Sequence, residues 1–266
     1  MLPCTSAQPT SVTLQTLGVA IDINAEASNA FRDDVTGATW ARHGRTSQSP
    51  ITYQGVKCLF VEQLQRAGGG APTVPQHYTQ AYWVNWAPSA TSYRTLFRFT
   101  SDHGVATSPG STSLGMYSNR HGRWRGCGSN IVIGRWEFLV VTGAGTSATS
   151  SVGTQTFYFA SCTNCDTPTF NNVGTTDRVV SGTQHYRIGH GDQDPGYLAR
   201  TLLFNKVLSK AEMLRVYQLT RPTGCPAGRY HGGSMMDADC LLCPVGKYKP
   251  VGAHGHCSAC PAGKFQ

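Results

Sequence analysis

Apolar and polar positions alternate most cleanly in two stretches of the chain. In Tyr78–Trp86 (YTQAYWVNW), Ala81, Trp83 and Asn85 fall on one side and Tyr82, Val84 and Trp86 on the other. In IGRWEFLVVTG, residues 133–143, Trp136, Phe138 and Val140 alternate with Glu137, Leu139 and Val141. A period of two predicts a strand in each. The run from Ser11 to Glu26 alternates enough to predict one or two further strands. Residues 113–126 (SLGMYSNRHGRWRG) predict a hairpin with Asn119–Gly122 at its tip. Tyr197–Phe204 is more continuous than alternating, which predicts a strand covered on both faces. Helical spacing occurs in one place. Ser209 is placed to cap a helix, Glu212 completes a capping box, Leu208 and Met213 stand at staple positions, and Met213, Leu214 and Tyr217 form an apolar stripe.

Composition agrees with short strands and many turns. The 266 residues include 30 glycines, and only 14% are charged, which suits an all-β sandwich or barrel. No apolar run approaches the ~18 residues needed to cross a membrane. The formal charge of +8 is moderate and admits acidic partners such as sulfated or sialylated glycans, or no such partner. Ten cysteines point to an oxidising compartment. The N-terminus (MLPCTSAQPT) has neither a basic start nor an apolar core, and the C-terminal CPAGKFQ stops within a repeated motif. The expectation is therefore a piece of a larger extracellular or cell-surface protein.

The run Gly196–Met213, GYLARTLLFNKVLSKAEM, resembles the closing strand and helix of laminin-G-like domains of the concanavalin A-like lectin/glucanase class. The strands at 78–86 and 133–143 match that family's order, and Thr39–Ala41 and residues 55–63, 95–101 and 154–161 resemble further strands of it. The resemblance implies an all-β concanavalin A-like jelly-roll sandwich with one short C-terminal helix over residues 11–220, after a tail at 1–10. From Arg221 the composition changes. CPAGRY at 225, CPVGKY at 243 and CPAGKF at 260 share one six-residue head. They resemble ephrin-receptor-like cysteine-rich repeats, so 221–266 is expected to be a run of small disulfide-stapled repeats with the third cut short. Disulfides Cys225–Cys240 and Cys243–Cys257 would each close one unit. A four-cysteine zinc site from Cys240, Cys243, Cys257 and Cys260 is the alternative. Cys162 and Cys165 are placed to pair locally.

Candidate chemistry is sparse. No G-x-S-x-G, H-E-x-x-H or P-loop occurs. A glucanase-type acid pair would have to come from Asp22 and Glu26, and the third carboxylate that such enzymes carry is missing. Asp33, Asp34, Asp192 and Asp194 lie in turn-rich stretches and supply hard oxygen donors for a possible calcium ion. Laminin-G-like relatives often carry an acidic residue in the closing strand, where this chain has Leu198, Ala199 and Arg200. His185 and His190 flank the same loop as Asp192 and Asp194, as metal ligands or as plain solvated loop residues. The ligand candidates are Arg120, His121, Arg123, Trp124 and Arg125, arginines that could grip an acidic group while the indole stacks on a sugar. The alternative is a solvated hairpin with Trp124 packed inward. We expect a non-catalytic binding or adhesion module whose partner is a glycan or an extracellular protein, not nucleic acid. A glucanase-class glycoside hydrolase and a purely structural segment are the alternatives.

Overall fold

The computed structural model describes residues 13–221 apart from 26, 28–30, 55, 67–73, 89–91, 99–101, 120, 147–152, 162–166, 178–185 and 192. Beyond 221 it describes 229–231, 240–243, 247–248 and 258–259. Short β-prone runs end at turn-formers throughout, so strands dominate. In chain order they are β1 (Val19–Asn24), β2 (Trp40–His43), β3 (Ile51–Tyr53), β4 (Val56–Val61), β5 (Gln63–Arg66), β6 (His77–Trp86), β7 (Arg94–Arg98), β8 (His103–Thr107), β9 (Ser113–Ser118) and β10 (Arg123–Asn130). Then come β11 (Trp136–Gly145), β12 (Gly153–Ala160), β13 (Phe170–Asp177), β14 (Arg187–Gly189), β15 (Gly196–Phe204) and one helix, α1 (Lys210–Thr220).

These strands form two antiparallel sheets. An eight-stranded sheet runs β13-β12-β11-β6-β15-β4-β3, with β1 also paired to β15. One edge of β15 pairs with β6 along its length, while the other edge is shared by β4 (Gly196–Leu198) and β1 (Arg200–Phe204). A seven-stranded sheet runs β10-β9-β8-β7-β14-β5-β2. The expected all-β sandwich with one short helix is the observed architecture.

Strand alternation sorts the side chains into two apolar layers. Ile21, Leu64, Tyr82, Val84, Phe97 and Ile188 belong to the layer between the sheets. Polar bonds cross that layer as well. The Tyr78 hydroxyl donates to Gln155, whose amide donates to the Gly104 carbonyl at 2.9 Å, joining β12 to β8. A Cβ at residue 143 would stand 2.1 Å from the Tyr78 ring, so only glycine leaves room for this tyrosine. The other layer, with Ala81, Trp83, Phe138, Leu202, Met213 and Tyr217, lies on the far face of the eight-stranded sheet and includes α1. The even and odd positions of β6 and β11 divide between these layers as their sequence period predicts.

Helix α1 begins as its sequence dictates. Ser209 Oγ accepts from the Glu212 N–H, and the Ser209 N–H donates to Glu212 Oε2 at 2.8 Å. The Lys206 ammonium at 2.6 Å and these Ser209 bonds hold the Glu212 carboxyl down to about 2. The Trp83 indole N–H reaches Thr220 Oγ1 at 3.1 Å and ties the helix end to β6.

Past residue 221 the described residues form two small hairpins. Strands β16 (Arg229–His231) and β17 (Cys240–Leu242) pair, as do β18 (Lys247–Tyr248) and β19 (Ser258–Ala259). Arg229 opposes Leu242 and Lys247 opposes Ala259. Each basic residue stands four places after its head cysteine, and each partner two places after the closing cysteine. The repeat seen in sequence is thus a repeat of register. Cys243 is disulfide-bonded.

Candidate functional site

The two sheets differ in what lies on their outer faces. The second apolar layer covers the eight-stranded sheet. Among the described residues no apolar cluster covers the outer face of the seven-stranded sheet. Polar, aromatic and cationic side chains collect there.

Directly opposed residues of antiparallel strands share a face. Register pairs Trp124 with Tyr117, Tyr117 with His103, His103 with Arg98, Arg98 with Arg187, and Arg187 with Gln65. One row therefore crosses β10, β9, β8, β7, β14 and β5. The neighbouring pairs Phe97–Ile188 and Ile188–Leu64 lie in the core, so the row faces away from it.

One end of the row is aromatic. Tyr93, just ahead of β7, has its ring centroid 5.1 Å from Tyr117, 6.0 Å from Trp124 and 5.9 Å from His103. Tyr93, Tyr117 and Trp124 are all half-buried, which leaves part of each ring open to a ligand. In the middle, His103 is buried at 4% exposure. The Thr95 hydroxyl donates to Gln193 Oε1 and lies 2.7 Å from His103 Nδ1. With that proton committed to Gln193, Nδ1 carries its own hydrogen and Nε2 is the acceptor. Burial, then Arg98 and His190, lower the imidazole to about 3, so it is neutral at physiological pH.

The other end is cationic. Arg98 and Arg187 stand directly opposite each other. Burial lowers the Arg98 guanidinium from its ordinary value, Arg187 adds to this, and Asp102 opposes it. Nε and Nη1 of Arg98 are buried without a hydrogen-bond partner among the described residues.

The residues singled out in sequence are distributed differently. Trp124 joins the row. Arg125, one position on, is opposite the buried Met116 and pairs at 3.1 Å with Asp177 of β13. Arg123 and His121 are exposed at the hairpin end, and Arg120 lies outside the described residues. Alternation along β10 is the reason that Trp124 does not share a face with Arg123 and Arg125.

Two of the four carboxylates expected for calcium, Asp33 and Asp194, are engaged by other groups. Asp33 is 2% exposed and accepts from the backbone N–H of Asp22 and Val35 and from the Thr36 hydroxyl. Burial, then Asp22, push the Asp34 carboxyl up. Both oxygens of Asp194 bind Arg45 Nη2, at 2.9 and 2.8 Å, and Arg45 also binds Glu62. Asp192 is outside the described residues. Among the described residues no group of three or more His, Cys, Asp or Glu is placed to hold a metal ion. Asp22 gives both oxygens to Arg200, at 2.8 and 2.6 Å, and Glu26 lies outside the described residues. His190 stands 5.6 Å from His103, and His185 is not described. Cys162, Cys165, Cys225 and Cys257 also fall outside.

Sequence reasoning missed Tyr93, Tyr117, His103, Arg98 and Arg187. One signal was available. A four-residue tip at Asn119–Gly122 makes Ser118 face Arg123 and hence Tyr117 face Trp124.

Residues 228–266 match the profile of the family described as tyrosine-protein kinase ephrin type A/B receptor-like. No curated protein matches the chain in sequence. Among solved structures, the binding domain of Paraclostridial Mosquitocidal Protein 1 is 9% identical with a TM-score of 0.51, over 76% of this chain and 52% of that one. Domain 4 of an extracellular arabinanase from Geobacillus stearothermophilus, solved with arabinotriose, is 14% identical with a TM-score of 0.50, over 75% of this chain and 98% of that one. The binding domain of botulinum neurotoxin DC, in complex with SialylT, is 12% identical with a TM-score of 0.50, over 81% and 54%. The chain spans about half the length of the first and last of these. At such identities the likeness is one of fold. No described helix is long and apolar enough to cross a membrane.

Proposed function

We propose that this chain is a non-catalytic extracellular binding module that takes a glycan on the outer face of its seven-stranded sheet. The observation that carries the reading is the cross-strand row, with three half-buried aromatic rings gathered at one end of a sheet face that carries no apolar cluster among the described residues. Sugars present apolar C–H faces ringed by hydroxyls. Such a ligand suits aromatic surfaces flanked by amide and imidazole groups, here Gln65, Gln193 and the Nε2 acceptor of His103. The arabinanase domain was solved with arabinotriose and the neurotoxin domain with SialylT, each on a similar fold, which supports the class of ligand without naming it. The laminin-G-like assignment of residues 11–220 belongs to the same proposal. The engagement of Asp22 by Arg200 speaks against a glucanase acid pair.

The test is binding of the purified chain to a glycan array, with Trp124→Ala beside it. The wild type is expected to bind at least one glycan class, and the variant to lose about tenfold or more. A folded chain that binds no glycan, or a variant that binds like the wild type, overturns the reading.

For residues 221–266 we propose a repeat region stapled by Cys225–Cys240 and Cys243–Cys257. Units this short bury too little apolar surface to hold without a staple. Peptide mapping without reductant is expected to recover both linked pairs. Free thiols at these positions with bound zinc would replace the staple with a metal site.

A further inference from the structure

Arg98 and Arg187 carry a cost that the buried Asp102 offsets only in part. Like charges directly opposite on neighbouring strands repel. Buried N–H donors without partners cost more again, because their water is gone and nothing replaces it. Among the described residues Asp102 is the carboxylate that acts on Arg98, set against two guanidiniums. On either side the row is uncharged. His103 opposes Arg98 as a neutral ring, and Gln65 opposes Arg187. The pair therefore sits as a local positive site between neutral polar groups. It lies on the same face as the aromatic rings, three strand positions from Trp124. At ~4.8 Å per strand that is about 14 Å, room for more than one sugar ring.

From this geometry we propose that the Arg98–Arg187 pair receives an anionic oxygen group, a carboxylate or a sulfate ester, carried by the glycan whose neighbouring rings lie on Tyr93, Tyr117 and Trp124. The inference rests on the glycan reading above and adds the chemical class to it. A planar guanidinium presents paired N–H groups that match the paired oxygens of either anion. The ligand's negative charge relieves the repulsion between the two cations. The half-buried setting keeps screening by salt weaker than at an open surface. The selectivity site is thus formed by β7 and β14, not by the basic hairpin tip.

An array holding neutral glycans beside their sialylated, uronate-bearing and sulfated forms tests this, with Arg98→Gln, Arg187→Gln, Arg98→Lys and Trp124→Ala. The wild type is expected to favour acidic members over their neutral counterparts by about tenfold. Either Gln variant should erase that preference and keep the Trp124-dependent binding of the neutral scaffold. Arg98→Lys should retain part of it, since the charge stays and the fork is lost. The thermal midpoint of Arg187→Gln should stay level or rise, because repulsion is removed, while that of Arg98→Gln should fall, because the buried Asp102 loses a counter-charge. The sialylated and uronate arms against the sulfated arm tell which anion is taken. An acidic preference unchanged by both Gln variants, or none in the wild type, overturns this inference and leaves the glycan reading standing. Absence of any Trp124-dependent binding overturns both.

Discussion

The two sheets are built from the same kinds of strand, yet they carry different loads. The eight-stranded sheet is apolar on both faces. Its central strand β6 holds Tyr82, Val84 and Trp86 against the other sheet and Ala81 and Trp83 against α1. Among the described residues the seven-stranded sheet has an apolar cluster on one face only. Its other face holds Trp124, Tyr117, His103, Arg98, Arg187 and Gln65. A doubly covered sheet can meet its needs with hydrophobic burial alone. A singly covered one has a free face, and residues there that repel or lack partners are candidates for binding.

The largest expected effect tests the structural half of this contrast. Trp83 is fully buried, 4.8 Å from Phe138 and 5.2 Å from Tyr217, and its indole bonds Thr220. Trp83→Ala should cost about 3–5 kcal/mol through lost burial and the cavity left behind. It should also free the end of α1. Chemical denaturation of this variant beside Trp124→Ala checks it. The Trp124 change should cost far less stability while removing binding. Equal destabilisation by the two would mean that the seven-stranded sheet's outer face is packed like the other, and the contrast fails.

Much of the fold was legible because local rules and tertiary packing agree. Period two in 78–86 and 133–143 assigned each side chain to the layer it occupies. The continuous run Tyr197–Phe204 is covered on both faces as expected, with Leu198 and Leu203 in one layer and Leu202 and Phe204 in the other. The Ser209–Glu212 capping box is formed. The site was not legible, because its residues come from six strands whose spatial order differs from their sequence order. Arg98 and Arg187 are 89 positions apart in the chain and directly opposed in the sheet. The basic tract around Trp124 drew notice as a linear cluster. Strand alternation then divides it, with Trp124 on the row and Arg125 held by Asp177. Turn chemistry likewise marked Asp33 and Asp194 as loop carboxylates, but not the backbone amides and the Arg45 guanidinium that engage them.

A smaller effect separates the sheets by the sign of their response to acid. His103 of the seven-stranded sheet is lowered from 6.5 to about 3 in the fold. Between those values the unfolded chain binds a proton that the folded chain refuses. Stability should therefore fall as pH falls through this window, by up to about 1.4 kcal/mol per pH unit. Above pH 6.5 the residue contributes no slope. Glu137 of the eight-stranded sheet works the other way. Burial raises its carboxyl above the ordinary 4.5, against the pull of Arg135. The folded chain takes up that proton before the unfolded one does, so acidification from neutral pH relieves a penalty until the unfolded carboxyl is protonated as well. Urea melts at pH 7 and at about pH 5 should show His103→Gln losing less stability on acidification than the wild type, and Glu137→Gln losing more. Equal slopes for all three proteins would mean that neither group is held in its buried, neutral-favouring setting. In that case the row would have a cationic imidazole beside Arg98, and its division into a neutral middle and a charged end would not hold.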